Sequence, residues 1–230
     1  MNLNILSGGA AQGLVASLAA AFKAKTGFDI AGEYGAVGGM SDKLRDGAPA
    51  DMIILTAALV AKLAEEKLVV SSSISDVGLV ETALAVRSGD PTVSATTADD
   101  LRKAFLAADA IFVPNTKAST AGIHVAKVLD QLGIADEVAA RLKIYPNGAT
   151  AMRELAASRE RRPIGCTQST EIISTKGVEL SGSLPKACAL ATMYTAAIAA
   201  KAGHAVQAKA LIELLSSAET SEARRRAGFL

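Results

Sequence analysis

Leu3–Asn4–Ile5–Leu6–Ser7–Gly8–Gly9–Ala10–Ala11–Gln12–Gly13 is the stretch on which the fold turns. Its first four residues read as a short buried strand, and Ser7–Gly13 follows as a loop of small residues. Leu14, Leu18 and Phe22 then recur at i, i+4 and i+8, the apolar stripe of a helix. A strand that empties through small residues into a helix start can receive an anion. Free backbone N–H groups point out of the first turn, and the helix dipole favours negative charge there. Without long side chains, a ligand comes close to that backbone.

The arrangement recurs. Asp29–Tyr34 reads as a strand, Gly35–Ala36–Val37–Gly38–Gly39 as a loop and Met40–Asp46 as a short helix. Asp51–Leu55 is a strand apolar on both faces, followed by Thr56 and a helix over Ala57–Glu66. Three strand–loop–helix units imply a parallel sheet, and right-handed crossovers put the three loops at one edge, where ligands sit in open α/β sheets. Ser7, Gly9, Ala10, Val37, Gly38 and Thr56 are therefore candidate ligand-binding positions. The competing reading of the glycines is that they only make tight turns. Neither glycine-rich loop has the spacing of a dinucleotide fingerprint, and no P-loop with its lysine is present.

Half of the 230 residues are hydrophobic and a fifth are charged, so the chain is globular and buries a real core. Alanine supplies much of the apolar fraction and aromatics only 3%, which leaves little surface for stacking sugars or bases. With a net charge of +1 and both signs interspersed, no nucleic-acid footprint exists. Arg159–Arg162 and Arg224–Arg226 read as solvated helix ends, the second suited to the negative C-terminus of a last helix. Cys166 and Cys188 lack metal spacing and read as small buried hydrophobes; a disulfide would need export and suitable geometry. No metal site or cofactor is expected. Ala187–Ala200 is too short and too rich in Ala and Thr to span a bilayer. Met1–Asn4 carries no basic leader, so the chain as given is expected in the cytoplasm, or in the periplasm if a leader was removed.

Further along, Ser71–Ser73 is a polar break and Glu81–Arg87 a long strand stopped by Ser88–Pro91. The unit pattern then restarts. Thr97 and Asp100 stand in capping-box spacing before a helix through Leu106. Ala110–Val113 is a strand, Asn115–Thr120 a polar loop, and Val125, Val128, Leu129 and Leu132 mark a helix that stops at Gly133. Ala135–Leu142 reads as a helix, Lys143–Tyr145 as a strand, Ala149–Ala157 as a helix and Pro163–Thr167 as a strand, with Gln168–Thr170 opening another short helix. A second long strand runs around Met193–Thr195, and helices over His204–Ser217 and Thr220–Ala227 close the chain. The expected architecture is α/β: lobe one from residues 1–80 plus 192–230, lobe two from 81–191, two crossover strands, and a ligand cleft between the lobes. Such arrangements close by hinge motion around a ligand.

Several blocks carry a family resemblance. Gly47–Ala48–Pro49–Ala50–Asp51 before an apolar strand resembles the molybdate-type periplasmic solute-binding proteins. Phe22–Gly27, Ala121–His124, Gly165–Gln168, Lys176–Glu179 and Arg226–Phe229 support this, and the blocks keep the family's order over nearly the whole chain. The resemblance implies the type II periplasmic-binding-protein fold, a small anionic ligand and, if the protein is exported, an ABC permease partner. In molybdate binders, serines of the first two loops and a tyrosine hold the oxyanion. Here the matching positions are Ala10, Ala36 or Val37, and Gln168. A divergent branch that resembles aconitate isomerase is more similar, in Ile54–Thr56, Gly122–His124 and Val178–Leu180, although Asn115–Ala118 is less glycine-rich than in that branch.

Lobe two adds Ser119, Thr120, Asn147, Gly148 and Gln168 as candidate ligand-binding residues, with Lys117 nearby. Ser119 and Thr120 read equally as helix caps. Glu33 reads as a solvated strand-end charge and Glu171 as a first-turn helix acid. The expected function is binding of a small anion, an oxyanion or a di- or tricarboxylate. The alternative is a cofactor-free isomerase of an unsaturated polycarboxylate, working by allylic proton transfer. For that chemistry the candidates are His124, in the first turn after the Asn115–Thr120 loop, which also reads as a surface or packing histidine, and Tyr194 on a crossover strand, which faces either the cleft or the core.

Overall fold

The computed structural model describes residues 1–230. Nine strands and ten α-helices follow in the order β1 (Asn2–Gly8), α1 (Gln12–Thr26), β2 (Asp29–Gly35), α2 (Val37–Arg45), β3 (Met52–Thr56), α3 (Ala57–Glu65), β4 (Ser75–Arg87), α4 (Ala98–Ala107), β5 (Ala110–Pro114), α5 (Thr120–Gln131), α6 (Ala135–Val138), β6 (Leu142–Tyr145), α7 (Gly148–Ala157), β7 (Pro163–Gln168), α8 (Ser169–Ile173), β8 (Val178–Ser183), β9 (Ala191–Ile198), α9 (Ala205–Ser216) and α10 (Ser221–Arg226). The chain divides into two compact units, Met1–Val80 with Thr192–Leu230, and Glu81–Ala191.

In the first unit β1 lies between β2 and β3, parallel to both, and β9 runs antiparallel beside β3. The apolar run Met52–Leu55 is fully buried because both sheet faces are covered. Leu14, Val15, Leu18 and Phe22 of α1 meet Leu211, Ile212 and Leu215 of α9 in one core. Each such side chain, taken fully out of water, contributes about 1.5–3 kcal/mol. Gly27, at φ 76°, ends α1 with a left-handed cap whose N–H returns to the Lys23 carbonyl at 2.8 Å. Asp51 joins three segments of this unit. Its carboxylate accepts from the Asn4 N–H and from the His204 N–H, each at 2.8 Å, so the entry to β3 is tied to β1 and to the start of α9.

In the second unit β7 lies between β4 and β5, antiparallel to the first and parallel to the second, and β6 is parallel to the far side of β5. Strand alternation divides this core in two. Leu84, Ile111, Val113, Ile164 and Cys166 face Leu101, Phe105, Val125 and Leu129 of α4 and α5, whereas Ala83, Ala85 and Phe112 face Met152, Leu155 and Ile172 of α7 and α8. The capping box at Thr97 and Asp100 is present with both bonds made.

Four local expectations change. The helix expected from Met40 begins at Val37, so Val37 and Gly38 form the first turn of α2, not a loop. The strand expected from Glu81 begins at Ser75; the Leu79 N–H and carbonyl are paired with the Leu230 carbonyl and N–H, and Asp76 takes the Thr195 hydroxyl at 2.8 Å. The helix expected over Ala135–Leu142 is four residues of α6 and a 3-10 turn at Ala139–Arg141, because Leu142 already pairs with Ile111 in β6. Strand β8 was not expected. It pairs with β4 through a register shift between Leu84 and Ala85.

Candidate functional site

The carboxyl ends of β1, β2 and β3 lie at one edge of the first unit's sheet, as parallel pairing requires. Gly8, at the end of β1, sits where a Cβ would be 2.7 Å from Val37 Cγ1 and 3.0 Å from Tyr194 Cε1. Thr56 stands opposite Tyr194 in the β3–β9 register. Gly8, Val37, Thr56 and Tyr194 are therefore brought together, and glycine is the residue that allows it. Ser7 is fully buried, and its hydroxyl donates to the Gly8 carbonyl at 2.9 Å. Gly9 and Ala10 form a buried 3-10 turn ahead of α1. Ala36 and Thr56 occupy the N-cap positions of α2 and α3, and neither side chain caps. The first-turn N–H groups of both helices thus lack a side-chain partner. Tyr194 is buried and meets the Phe229 ring edge-on at 6.4 Å and 85°. Glu33 is solvated and ion-paired with Lys43. Burial pushes the Tyr34 phenol up to about 12.

In the second unit the loop after β5 is an Asx turn: the Asn115 side-chain oxygen accepts from the Lys117 N–H at 2.8 Å and the Ala118 N–H at 3.1 Å. Lys117 itself is exposed. Ser119 occupies the N-cap of α5 and is buried, but its hydroxyl makes no cap bond. Thr120, half-buried, is the first helical residue. His124, on the same helix, is held by a 2.8 Å contact from Nε2 to the Cys188 carbonyl, which fixes the ring with Nε2 as donor.

The start of α7 is occupied from within. Asn147 caps the Thr150 N–H at 2.8 Å. The N–H groups of Gly148 and Ala149 bond the carboxyl group of Glu171. Glu171 is 5% exposed and also takes the Thr167 hydroxyl at 2.6 Å. Burial pushes its carboxyl above the ordinary value, against the lowering effect of those bonds and of the Gln168 N–H. A Cβ on Gly148 would run into the Glu171 carboxyl and the Thr167 hydroxyl.

Gln168 ends β7 and N-caps α8 without a side-chain bond. It is 2% exposed, and neither its amide oxygen nor its amide nitrogen has a hydrogen-bond partner. Thr82, its register partner on β4, and Thr170 are equally buried, and their hydroxyls too are unpartnered. A buried polar group left unpaired costs about 1–3 kcal/mol, so two residues of this kind directly opposite one another, Thr82 and Gln168, call for a function.

The sequence reading missed the part played by Glu171 and did not weigh Thr82 or Thr170. Thr82 was the findable one: it shares strand parity with the apolar Leu84 and Val86, a polar residue on a buried face.

Comparison with known proteins places this geometry. The family of bacterial extracellular solute-binding proteins matches residues 3–230. The chain belongs to that family. Aconitate isomerase from Pseudomonas sp is 24% identical over 235 residues, spanning 99% of this chain and 87% of the relative. The periplasmic molybdate-binding protein of Azotobacter vinelandii superposes with a TM-score of 0.84 at 16% identity, over 99% of this chain and 98% of that one. The sulfate-binding protein SubI of Mycobacterium tuberculosis H37Rv gives 0.76 at 20% identity, over 100% and 86%. These likenesses establish the type II periplasmic-binding-protein fold.

The motifs of this solute-binding protein have structural reasons. Asp51 ties β1, β3 and α9 as described. Gly122 lets α5 pack against the Pro114 and Asn115 carbonyls. Arg224 donates to the Leu215 carbonyl at 3.0 Å and the Ser217 carbonyl at 2.7 Å, closing the end of α9. Both cysteines are free and buried, and desolvation pushes the Cys166 thiol up to about 12. No helix of this solute-binding protein is long and apolar enough to cross a membrane.

Proposed function

We propose that this solute-binding protein holds a small organic anion, a di- or tricarboxylate, at the carboxyl ends of its strands. Ser7, Gly9, Ala10, Val37, Gly38 and Thr56 line the first unit's share; Ser119, Thr120 and Gln168 line the second's, with Asn147 and Gly148 in support. The expected cleft between the two lobes belongs to this proposal. The observation that carries it is the buried, unpartnered amide of Gln168 beside Thr82. A neutral amide suits a ligand with varied polar atoms better than a compact metal oxyanion. The uncapped starts of α2, α3 and α5 supply the donors for negative charge. Each contributes about 0.3–1 kcal/mol through its dipole, and up to about 2 kcal/mol when partly buried, so several must converge on one ligand. Asn147 and Gly148 act indirectly, because the start of α7 is already satisfied by Glu171.

The family's extracellular description favours export over the cytoplasmic location expected from the first residues, and delivery to an ABC permease is part of this proposal. A thermal-shift screen across carboxylates and oxyanions tests the binding role. A carboxylate is expected to raise the midpoint; stabilisation by molybdate or sulfate alone rejects the reading.

The relative aconitate isomerase favours a second reading, turnover of an unsaturated polycarboxylate. An allylic proton shift needs one base and donors for the dienolate-like charge. His124 and Tyr194 remain its candidates, the first with Nδ1 as the ring nitrogen not engaged by the Cys188 carbonyl. Proton NMR of protein with aconitate in deuterated water decides: deuterium uptake or isomer formation supports turnover, and an unchanged spectrum with tight binding rejects it.

A further inference from the structure

We propose that Thr82 and Gln168 read an alcohol hydroxyl on the ligand, so that the protein selects hydroxylated carboxylates over their deoxy counterparts. The inference rests on the carboxylate reading above and narrows it. Thr82 and Gln168 are direct partners in the antiparallel β4–β7 pair. Opposite side chains in such a pair are about 4.5–5.5 Å apart at Cβ. By strand alternation both stand on the face of Leu84 and Cys166. They are 1% and 2% exposed, yet their side chains bond neither each other nor any other group of the protein. They lie where β7 ends and β4 enters this unit, at the same edge as the uncapped hydroxyl of Ser119.

The donor and acceptor inventory selects the ligand group. The amide oxygen of Gln168 only accepts, its nitrogen only donates, and the Thr82 hydroxyl does both. An ionised carboxylate or a tetrahedral oxyanion only accepts, so it leaves the amide oxygen unpaired. An alcohol hydroxyl donates to that oxygen and accepts from the Thr82 hydroxyl, bridging the two side chains. The carboxylates of the same molecule go to the amide nitrogen and to the backbone N–H groups. A site built to bond a hydroxyl discriminates strongly against the analogue lacking it, because the buried partners are then stranded.

Calorimetric titration with matched acids tests this: malate, as both enantiomers, against succinate, and citrate against tricarballylate. Wild type is expected to prefer the hydroxylated member of at least one pair by roughly ten-fold or more. Thr82→Val should cut that preference to about two-fold while leaving the deoxy acid's affinity within about two-fold, and Thr82→Ser should restore it. Thermal midpoints of the variants confirm that they are folded. Equal affinity for both members of each pair overturns the inference and leaves the carboxylate reading standing. So does a Thr82→Val variant that weakens both members alike, which would mark the threonine as structural. No binding of any of these acids overturns the carboxylate reading and this inference together.

Discussion

At the strand ends of the first unit, Gly8, Ala10, Ala36 and Val37 offer almost no side-chain chemistry, and the helix starts there are uncapped. At the strand ends of the second unit, side chains dominate: Glu171 fills the start of α7, while Gln168, Thr82 and Thr170 are buried without partners. The strand ends of one unit thus offer backbone donors, and those of the other offer side-chain groups. Under the proposed function, the small residues of the first unit let a ligand reach the main chain, so that charge is recognised with little regard to shape. In the second, the unpartnered groups both donate and accept, and under the proposed function they have to match a ligand atom by atom.

The largest expected effect breaks the second unit's edge. Gly148→Val forces a side chain into the Glu171 carboxyl and the Thr167 hydroxyl and should destabilise the protein by about 3 kcal/mol or more in urea unfolding. The corresponding change in the first unit, Gly8→Ala, meets Val37 at 2.7 Å and Tyr194 at 3.0 Å, apolar neighbours that can shift, and should cost about 1–2 kcal/mol.

Next, Glu171→Ala strands the Gly148 and Ala149 N–H groups and the Thr167 hydroxyl, for an expected loss of about 2–3 kcal/mol. Unchanged stability in this variant would mean that α7's start is satisfied in another way. Its pH dependence has a definite sign. The carboxyl is raised above its ordinary 4.5 by burial, so its favourable contribution is complete below that pH and is lost as pH rises through the folded-state value. Stability of wild type relative to Glu171→Gln should therefore fall from about pH 4.5 upward and then level off. A difference that grows with pH contradicts a buried carboxyl dominated by desolvation.

The smallest effect sharpens the comparison from the first unit's side. Ala36 has the extended backbone of an N-cap, φ −63° and ψ 133°, but no side chain to cap with. Ala36→Ser should stabilise the protein by about 1 kcal/mol, or about 2–4 °C in Tm by calorimetric scan. The added cap would take a donor from any ligand that uses the start of α2.

Much of this was legible in the sequence because it is local. Apolar runs of five or so residues ending in small residues gave the strands, and i, i+4 stripes gave α1 and α5. The Thr97–Asp100 spacing gave a cap that the structure contains. The first half of β4 was not legible. Ser75, Asp76 and Gly78 carry turn chemistry, and the strand exists through pairing with Leu230 and the Thr195 hydroxyl, more than a hundred residues away by position. Strand β8, half-exposed and carrying Gly182, has the same character. The start of α2 was hidden because two glycines follow Val37. At the site, the strand-end positions could be read, but Glu171 could not. Two of its partners, Thr167 and Gln168, stand four and three residues before it, but the other two are the N–H groups at the start of α7, and no spacing in the sequence joins Glu171 to those.

The most direct test of the difference between the two edges is calorimetric titration of one protein preparation with molybdate and with a panel of di- and tricarboxylates. Lacking hydroxyls at Ala10, Ala36 and Val37, and with Gln168 in place of a phenol, the protein should bind molybdate orders of magnitude more weakly than a dedicated binder, since each lost bond to a charged group is worth about 1.5–3 kcal/mol. At least one carboxylate should bind more tightly than molybdate by ten-fold or more. Submicromolar molybdate affinity with no heat from any carboxylate would contradict the account.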